Sequence, residues 1–110
     1  MRIYLDHNAT TPPLPEVVET VARVMRETPG NASSVHAFGQ QAKARLDEAR
    51  IQVAALLDAD ANDVVFTSGG TESDNFAIRG AAEALETTGR RHLIASAMEH
   101  EAVLVTMRAL

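Results

Sequence analysis

The 110 residues predict an α/β fold, an incomplete parallel sheet accompanied by helices, on three observations. A long stretch repeats apolar residues every three or four positions. Two short β-branched runs are separated by a further helical pattern, and a glycine pair joins the first run to the helix behind it. Strands that alternate with helices mark a parallel sheet with helical crossovers. The inferred order is α, α, β, α, β, α, without internal repeat or low-complexity tract.

From Tyr4 to Pro15 the residues Asn8, Thr10, Thr11, Pro12, Pro13 and Pro15 favour extended backbone and turns, so this stretch is an arm or loop. Pro15 suits a first helical turn, and Val17, Val18, Val21, Ala22, Val24 and Met25 give a helix an apolar face up to about Glu27. Thr28-Pro29-Gly30 ends it, and the small polar stretch Asn31–His36 reads as a surface loop. The longest helical pattern follows to about Leu57: Phe38, Ala42, Leu46, Ala49, Val53 and Leu56 share a face, and Lys43 and Asp47 form an i,i+4 charge pair. Asp58–Asn62 is a turn, and Val64-Val65-Phe66-Thr67 reads as a short buried strand. Thr71-Glu72-Ser73-Asp74 has the spacing of a capping box, hydroxyl at the cap and acid three residues on, and predicts a helix through about Glu86, with Gly89 at its exit. His92–Ala97 reads as a second strand and Glu99–Leu110 as a helix without a stop signal. The chain is one domain, with an arm and helices over 1–58 and the start of an α/β layer over 59–110.

With 45% hydrophobic residues the sequence is that of a globular protein rather than a disordered one. Its formal charge is −5, and Lys43 is its one lysine, so no basic surface exists for nucleic acid. No apolar run approaches the roughly 20 residues of a membrane span, and the N-terminus lacks the layout of a signal peptide. A cytoplasmic protein is expected, and the absence of cysteine fits a reducing compartment. It also removes any thiol nucleophile from this chain.

The strongest local chemistry is Thr67-Ser68-Gly69-Gly70-Thr71. Glycines let backbone N–H groups approach an anion closely, the helix N-terminus adds donors and partial positive charge, and the Thr71 hydroxyl adds another donor. The same residues also suit a plain strand-to-helix turn, and Glu72 and Asp74 weigh slightly against an anion. None of the four histidines has the spacing or carboxylate company of a metal site, so no metal is expected. His92 reads as structural and His36 as a solvated loop residue. His100 follows the second strand, on the side where ligands gather in open α/β sheets; its alternative is a helix-start residue without further role. No nucleophile elbow or Ser-His-Asp arrangement is present.

Four stretches in register resemble the group I cysteine desulfurases of the class V aminotransferase superfamily: Tyr4–Pro12 (YLDHNATTP), Gly30–His36 (GNASSVH), Phe66–Asn75 (FTSGGTESDN) and Glu99–Val103 (EHEAV). The resemblance covers the chain and implies the first part of a longer enzyme with the pyridoxal-phosphate-dependent, aspartate aminotransferase-like fold type I. It implies that Gly70 and Thr71 hold the cofactor's phosphate and that His100 stacks on its ring and moves protons. The arm Asn8–Thr11 and the loop Asn31–His36 are implied near the active site or dimer contact. Ala32 departs from the proline usual there, and a less rigid loop is expected.

The resemblance further implies a lysine that carries pyridoxal phosphate, an aspartate at its ring nitrogen, an arginine for the substrate carboxylate and a sulfur-accepting cysteine, all later in such a chain. Lys43 stands in the wrong motif. The chain alone is therefore expected to be inactive, and to be a segment of a longer protein. The whole enzyme is implied to convert L-cysteine to L-alanine with a persulfide on the enzyme, for a sulfur-acceptor protein serving iron–sulfur clusters and thio-cofactors. A homodimer is implied as well. The two strands are implied not to be neighbours in a seven-stranded sheet, leaving their edges without partners in this chain. The alternatives are another class V enzyme such as selenocysteine lyase, or a non-catalytic module for dimerisation or partner binding.

Overall fold

A computed structural model describes residues 2–110. It divides into two compact units between Val64 and Val65. In the first, the arm folds into a turn: the Tyr4 hydroxyl lies 2.8 Å from the Asp6 carbonyl and 2.9 Å from that of Thr10. The Tyr4 ring meets His7 edge-on at 5.1 Å.

Helix α1 (Pro15–Glu27) opens with proline in its first turn, as its fixed φ favours, and carries Glu16 near its start and Arg26 near its end, both complementing the helix dipole. Helix α2 (Ala37–Leu57) is capped by His36 and leaves through Asp58 in the left-handed region, φ 53°. The Lys43–Asp47 ion pair forms as its spacing predicts. A single 3₁₀ turn, Ala61–Asp63, follows and packs on α2. Arg50 of α2 donates to the Val64 carbonyl.

The loop before α2 is tightly held. The Asn31 side chain accepts from Ser33 N–H at 2.9 Å, and Ser34 N–H donates to the Asn31 carbonyl at 2.9 Å. A Cβ on Gly30 would stand 2.0 Å from the Phe38 carbonyl oxygen, and one on Gly39 2.2 Å from that of Ser34. These two glycines let loop and helix start interlock, with local hydrogen bonds supplying rigidity that Ala32 does not.

The second unit contains α3 (Gly70–Glu86) and α4 (Glu101–Arg108), which pack on each other. Gly89, at φ 80°, turns the chain out of α3. Around Ala102 and Thr106 lies the small buried centre of this unit, as Ala54 is for the first. The Thr106 hydroxyl is satisfied by the Ala102 carbonyl at 2.7 Å.

Three expectations are corrected. No strand forms among the described residues, so Val64–Thr67 and His92–Ala97 are irregular segments and the order is four helices with one 3₁₀ turn. A strand exists only as a member of a ladder. The β-branched pattern is present, Val64 is extended at φ −89° and ψ 118°, and no ladder forms between the two segments. The capping box at Thr71 is also displaced: α3 begins at Gly70 with Gly69 as its N-cap. Finally, α4 ends at Arg108 rather than running to Leu110.

The large side chains on the apolar faces of α1 and α2 are mostly left without cover, while Ala42, Ala49 and Val53 are half-buried. Val17, Val18, Val21 and Met25 are exposed, as are Phe38 and Leu56, and an open groove of about 560 Å³ lies beside Val24, Leu46 and Ala49. No large side chain is fully buried among the described residues. Periodicity sets which residues share a helical face, whereas burial requires a second apolar surface to meet it.

Candidate functional site: two helix starts in one unit

The predicted site residues fall on the N-termini of α3 and α4, the two helices that pack together in the second unit. Gly70 and Thr71 are the first two residues of α3, and His100 is the N-cap of α4. All three are exposed.

At α3 the N-cap is a glycine and no side chain caps the helix. The first intrahelical bond runs from Ser73 N–H to the Gly69 carbonyl at 3.1 Å. The N–H groups of Gly70, Thr71 and Glu72 therefore precede the ladder, as the first donors of any helix do. The Thr71 hydroxyl donates to no acceptor among the described residues. A Cβ placed on Gly69 or Gly70 meets nothing within 4 Å, so packing inside the chain does not require glycine there. Open space over uncapped amides at the positive end of a 17-residue helix suits an oxyanion, and the residues present fit the phosphate of pyridoxal phosphate.

The turn ahead of these amides is laced by side chains. Glu72 Oε2 accepts from Ser68 N–H and from the Ser68 hydroxyl, both at 2.6 Å. These bonds, the hydroxyl first and the backbone N–H second, hold the Glu72 carboxyl below the usual carboxylate range. The Thr67 and Ser73 hydroxyls are 2.6 Å apart, and each lies 3.2 Å from the Gly69 carbonyl oxygen. Sequence reasoning missed Glu72. The available signal was its place three residues after Gly69, the capping-box interval counted from the true N-cap.

His100 Nδ1 accepts the Ala102 N–H at 3.1 Å. An acceptor Nδ1 leaves the proton of the neutral ring on Nε2, so the cap selects both the tautomer and the nitrogen that remains available. His36 makes the same kind of cap at α2, where its Nδ1 accepts Gly39 N–H at 3.3 Å. It is thus more than a solvated loop residue. Among the described residues no cluster of three or more His, Cys, Asp or Glu side chains could hold a metal ion, and no helix is long and apolar enough to cross a membrane.

The aminotransferase class-V family matches residues 3–110, and the chain belongs to that family. Within it, the chain is similar to the N-terminal portion of cysteine desulfurases. It is 51% identical over 109 residues to the cysteine desulfurase IscS of Neisseria meningitidis serogroup C / serotype 2a, covering 98% of this chain and 27% of that protein. Against the putative cysteine desulfurase IscS 1 of Bacillus subtilis it is 47% identical, covering 99% of this chain and 28% of that one.

Among solved structures, a NifS-like protein superposes with a TM-score of 0.85 at 38% identity, over 99% of this chain and 30% of that one. DndA from Streptomyces lividans gives 0.76 at 43% identity, over 97% of this chain and 30% of its own. The fold is accordingly the N-terminal part of the pyridoxal-phosphate-dependent fold type I. The chain spans little more than a quarter of the length of the curated relatives it matches.

Proposed function

We propose that this chain is the N-terminal portion of a pyridoxal-phosphate-dependent cysteine desulfurase that converts L-cysteine to L-alanine and passes the sulfur on as an enzyme-bound persulfide. The observation that carries the reading is the uncapped, sterically open start of α3 at Gly70–Thr71, in a chain about half identical to named cysteine desulfurases. On this reading residues 59–110 begin the cofactor-binding α/β domain and residues 1–58 supply an arm and helices to it. The whole protein is a cytoplasmic homodimer that delivers sulfur to an acceptor protein for iron–sulfur cluster and thio-cofactor assembly.

Pyridoxal phosphate, when bound, supplies the electron sink for breaking bonds at the substrate's α-carbon. The chain's own residues bind and orient. Gly70 and Thr71 would offer N–H donors and a hydroxyl to the phosphate, anchoring the cofactor through a group that does not itself react. His100 would stack on the ring when it is bound and hold or move a proton at Nε2, because Nδ1 is committed to Ala102 N–H. The carrier lysine and the sulfur-accepting cysteine belong to the rest of the protein.

The test is alanine release from L-cysteine by the full-length protein with pyridoxal phosphate and a thiol reductant. Alanine and sulfide in equal amounts are expected, with turnover depending on Thr71 and His100. Activity confined to L-selenocysteine would point to a selenocysteine lyase instead, and no turnover with either substrate would refute the reading.

A further inference from the structure

The lacing of the turn before α3 has a consequence for how the phosphate site is made. In a trans peptide the C=O and N–H point in opposite directions. The Gly69 carbonyl is held toward α3 by Ser73 N–H at 3.1 Å and by the hydroxyls of Ser73 and Thr67, each at 3.2 Å. The Gly70 N–H in the same peptide plane is thereby turned away from the helix, toward the open side.

One residue earlier, Glu72 Oε2 takes both donors of Ser68 at 2.6 Å. The carboxylate thus ties the preceding peptide to the third residue of α3. It occupies itself with Ser68 and leaves the Gly70 and Thr71 amides to a ligand. A glycine pair between Ser68 and Thr71, with no neighbour within 4 Å of either added Cβ, would otherwise be the most conformationally free part of the unit.

We propose that Glu72 is a positioning residue for the phosphate site: by accepting both Ser68 donors it sets the turn in its binding shape before the anion arrives. This rests on the functional reading above and deepens it. The carboxylate touches no reacting atom. It lowers the ordering cost of binding, which is how a preformed loop gains affinity.

The experiment uses the full-length protein with Glu72→Ala, Glu72→Gln and Ser68→Ala. Its readouts are the dissociation constant for pyridoxal phosphate and the phosphorus resonance of the bound phosphate, with thermal melting to score folding. Glu72→Ala is expected to weaken binding about tenfold, the scale of a lost charge-assisted hydrogen bond, and to shift the phosphorus resonance. Glu72→Gln keeps an oxygen acceptor and should stay within about threefold of the unmodified protein, with its resonance unmoved. Ser68→Ala, which removes one of the two donors, should fall between them and remains informative if Glu72→Ala does not fold.

Binding by Glu72→Ala within twofold of the unmodified protein, with the same resonance, would overturn the proposal, as would equal damage in Glu72→Gln. If the unmodified protein binds no pyridoxal phosphate, the functional reading fails instead. The turn is then judged without ligand by the amide resonances of Ser68 and Gly70. Glu72→Ala should move both and Glu72→Gln neither; unmoved resonances in Glu72→Ala would again overturn the positioning role.

Discussion

At Gly30 and Gly39 an added Cβ would come within 2.0 and 2.2 Å of backbone oxygens, whereas at Gly69 and Gly70 it would meet nothing within 4 Å. Both pairs border a helix start, and both helix starts follow a small polar loop. The first pair is glycine because the chain itself crowds the position. The second has no such reason inside the chain, which is what a surface shaped for an outside group looks like. The histidines repeat the contrast. His36 and His100 each cap a helix through Nδ1, yet one stands at the crowded helix start and the other in the unit that carries the open one. On the proposed reading, the same residue type capping through the same nitrogen is confined to holding its helix in one place and is available for chemistry in the other.

Asparagine substitutions separate the two uses most widely. Asparagine caps helices well, so His36→Asn and His100→Asn should both keep their helices, and circular dichroism should show little loss. Turnover of L-cysteine by the full-length protein should be near normal in His36→Asn and lower by about 100-fold in His100→Asn, the scale of a lost proton-transfer group. Equal losses in both variants would erase the distinction between the caps.

Gly39→Ala carries the next largest effect. The obstruction is a backbone carbonyl that cannot rotate aside, so the cost should reach about 3 kcal/mol, the upper range for overpacking, read as a fall in the urea midpoint of the full-length protein. Gly70→Ala should leave that midpoint unchanged or raise stability by up to about 1 kcal/mol, since alanine is the better helix former at a helical position with free space. A Gly70→Ala loss comparable to that of Gly39→Ala would mean that the α3 turn is crowded after all.

The same contrast explains what could be read from the residues alone. Helix α1 was legible from Pro15 and the valine spacing, and α2 from its repeat and the Lys43–Asp47 pair, because these depend on neighbours within a turn or two of the chain. The segments Val64–Thr67 and His92–Ala97 carry strand chemistry but form no ladder, since a ladder depends on residues that local pattern does not supply. Likewise the valines of α1 announce a buried face, and the structure leaves them exposed for want of a facing surface. At the site, Gly69–Gly70 stood out because glycine is locally conspicuous. Glu72 did not, because its value lies in reaching back four residues to Ser68, and the Thr71–Asp74 spacing offered a competing register two residues too far along. Nor did Gly30 and Gly39 advertise their interlock, which sets Gly30 against Phe38 and Gly39 against Ser34.

The smallest expected effect concerns acid. The Glu72 carboxyl is held below its ordinary value of 4.5, first by the Ser68 hydroxyl and then by the Ser68 N–H. A carboxyl depressed in the folded state contributes stability that is present above its unfolded value and is lost as pH falls through the lowered folded value. The link between Ser68 and Glu72 should therefore stay intact at neutral and mildly acidic pH and open only below pH 4.5. Because the carboxylate is fully exposed, solvent screens the link and the melting temperature is a poor reporter of it. The Ser68 amide resonance is a direct one, since its hydrogen bond ends when the carboxylate is protonated. Followed in the full-length protein, it should titrate with a midpoint under 4.5, and Ser68→Ala should raise the Glu72 carboxyl midpoint toward that value by removing the larger of the two causes. A Ser68 amide that titrates at or above the ordinary value would mean that the carboxylate does not hold the turn. The open helix start at Gly70 would then be shaped by the Thr67 and Ser73 hydroxyls alone.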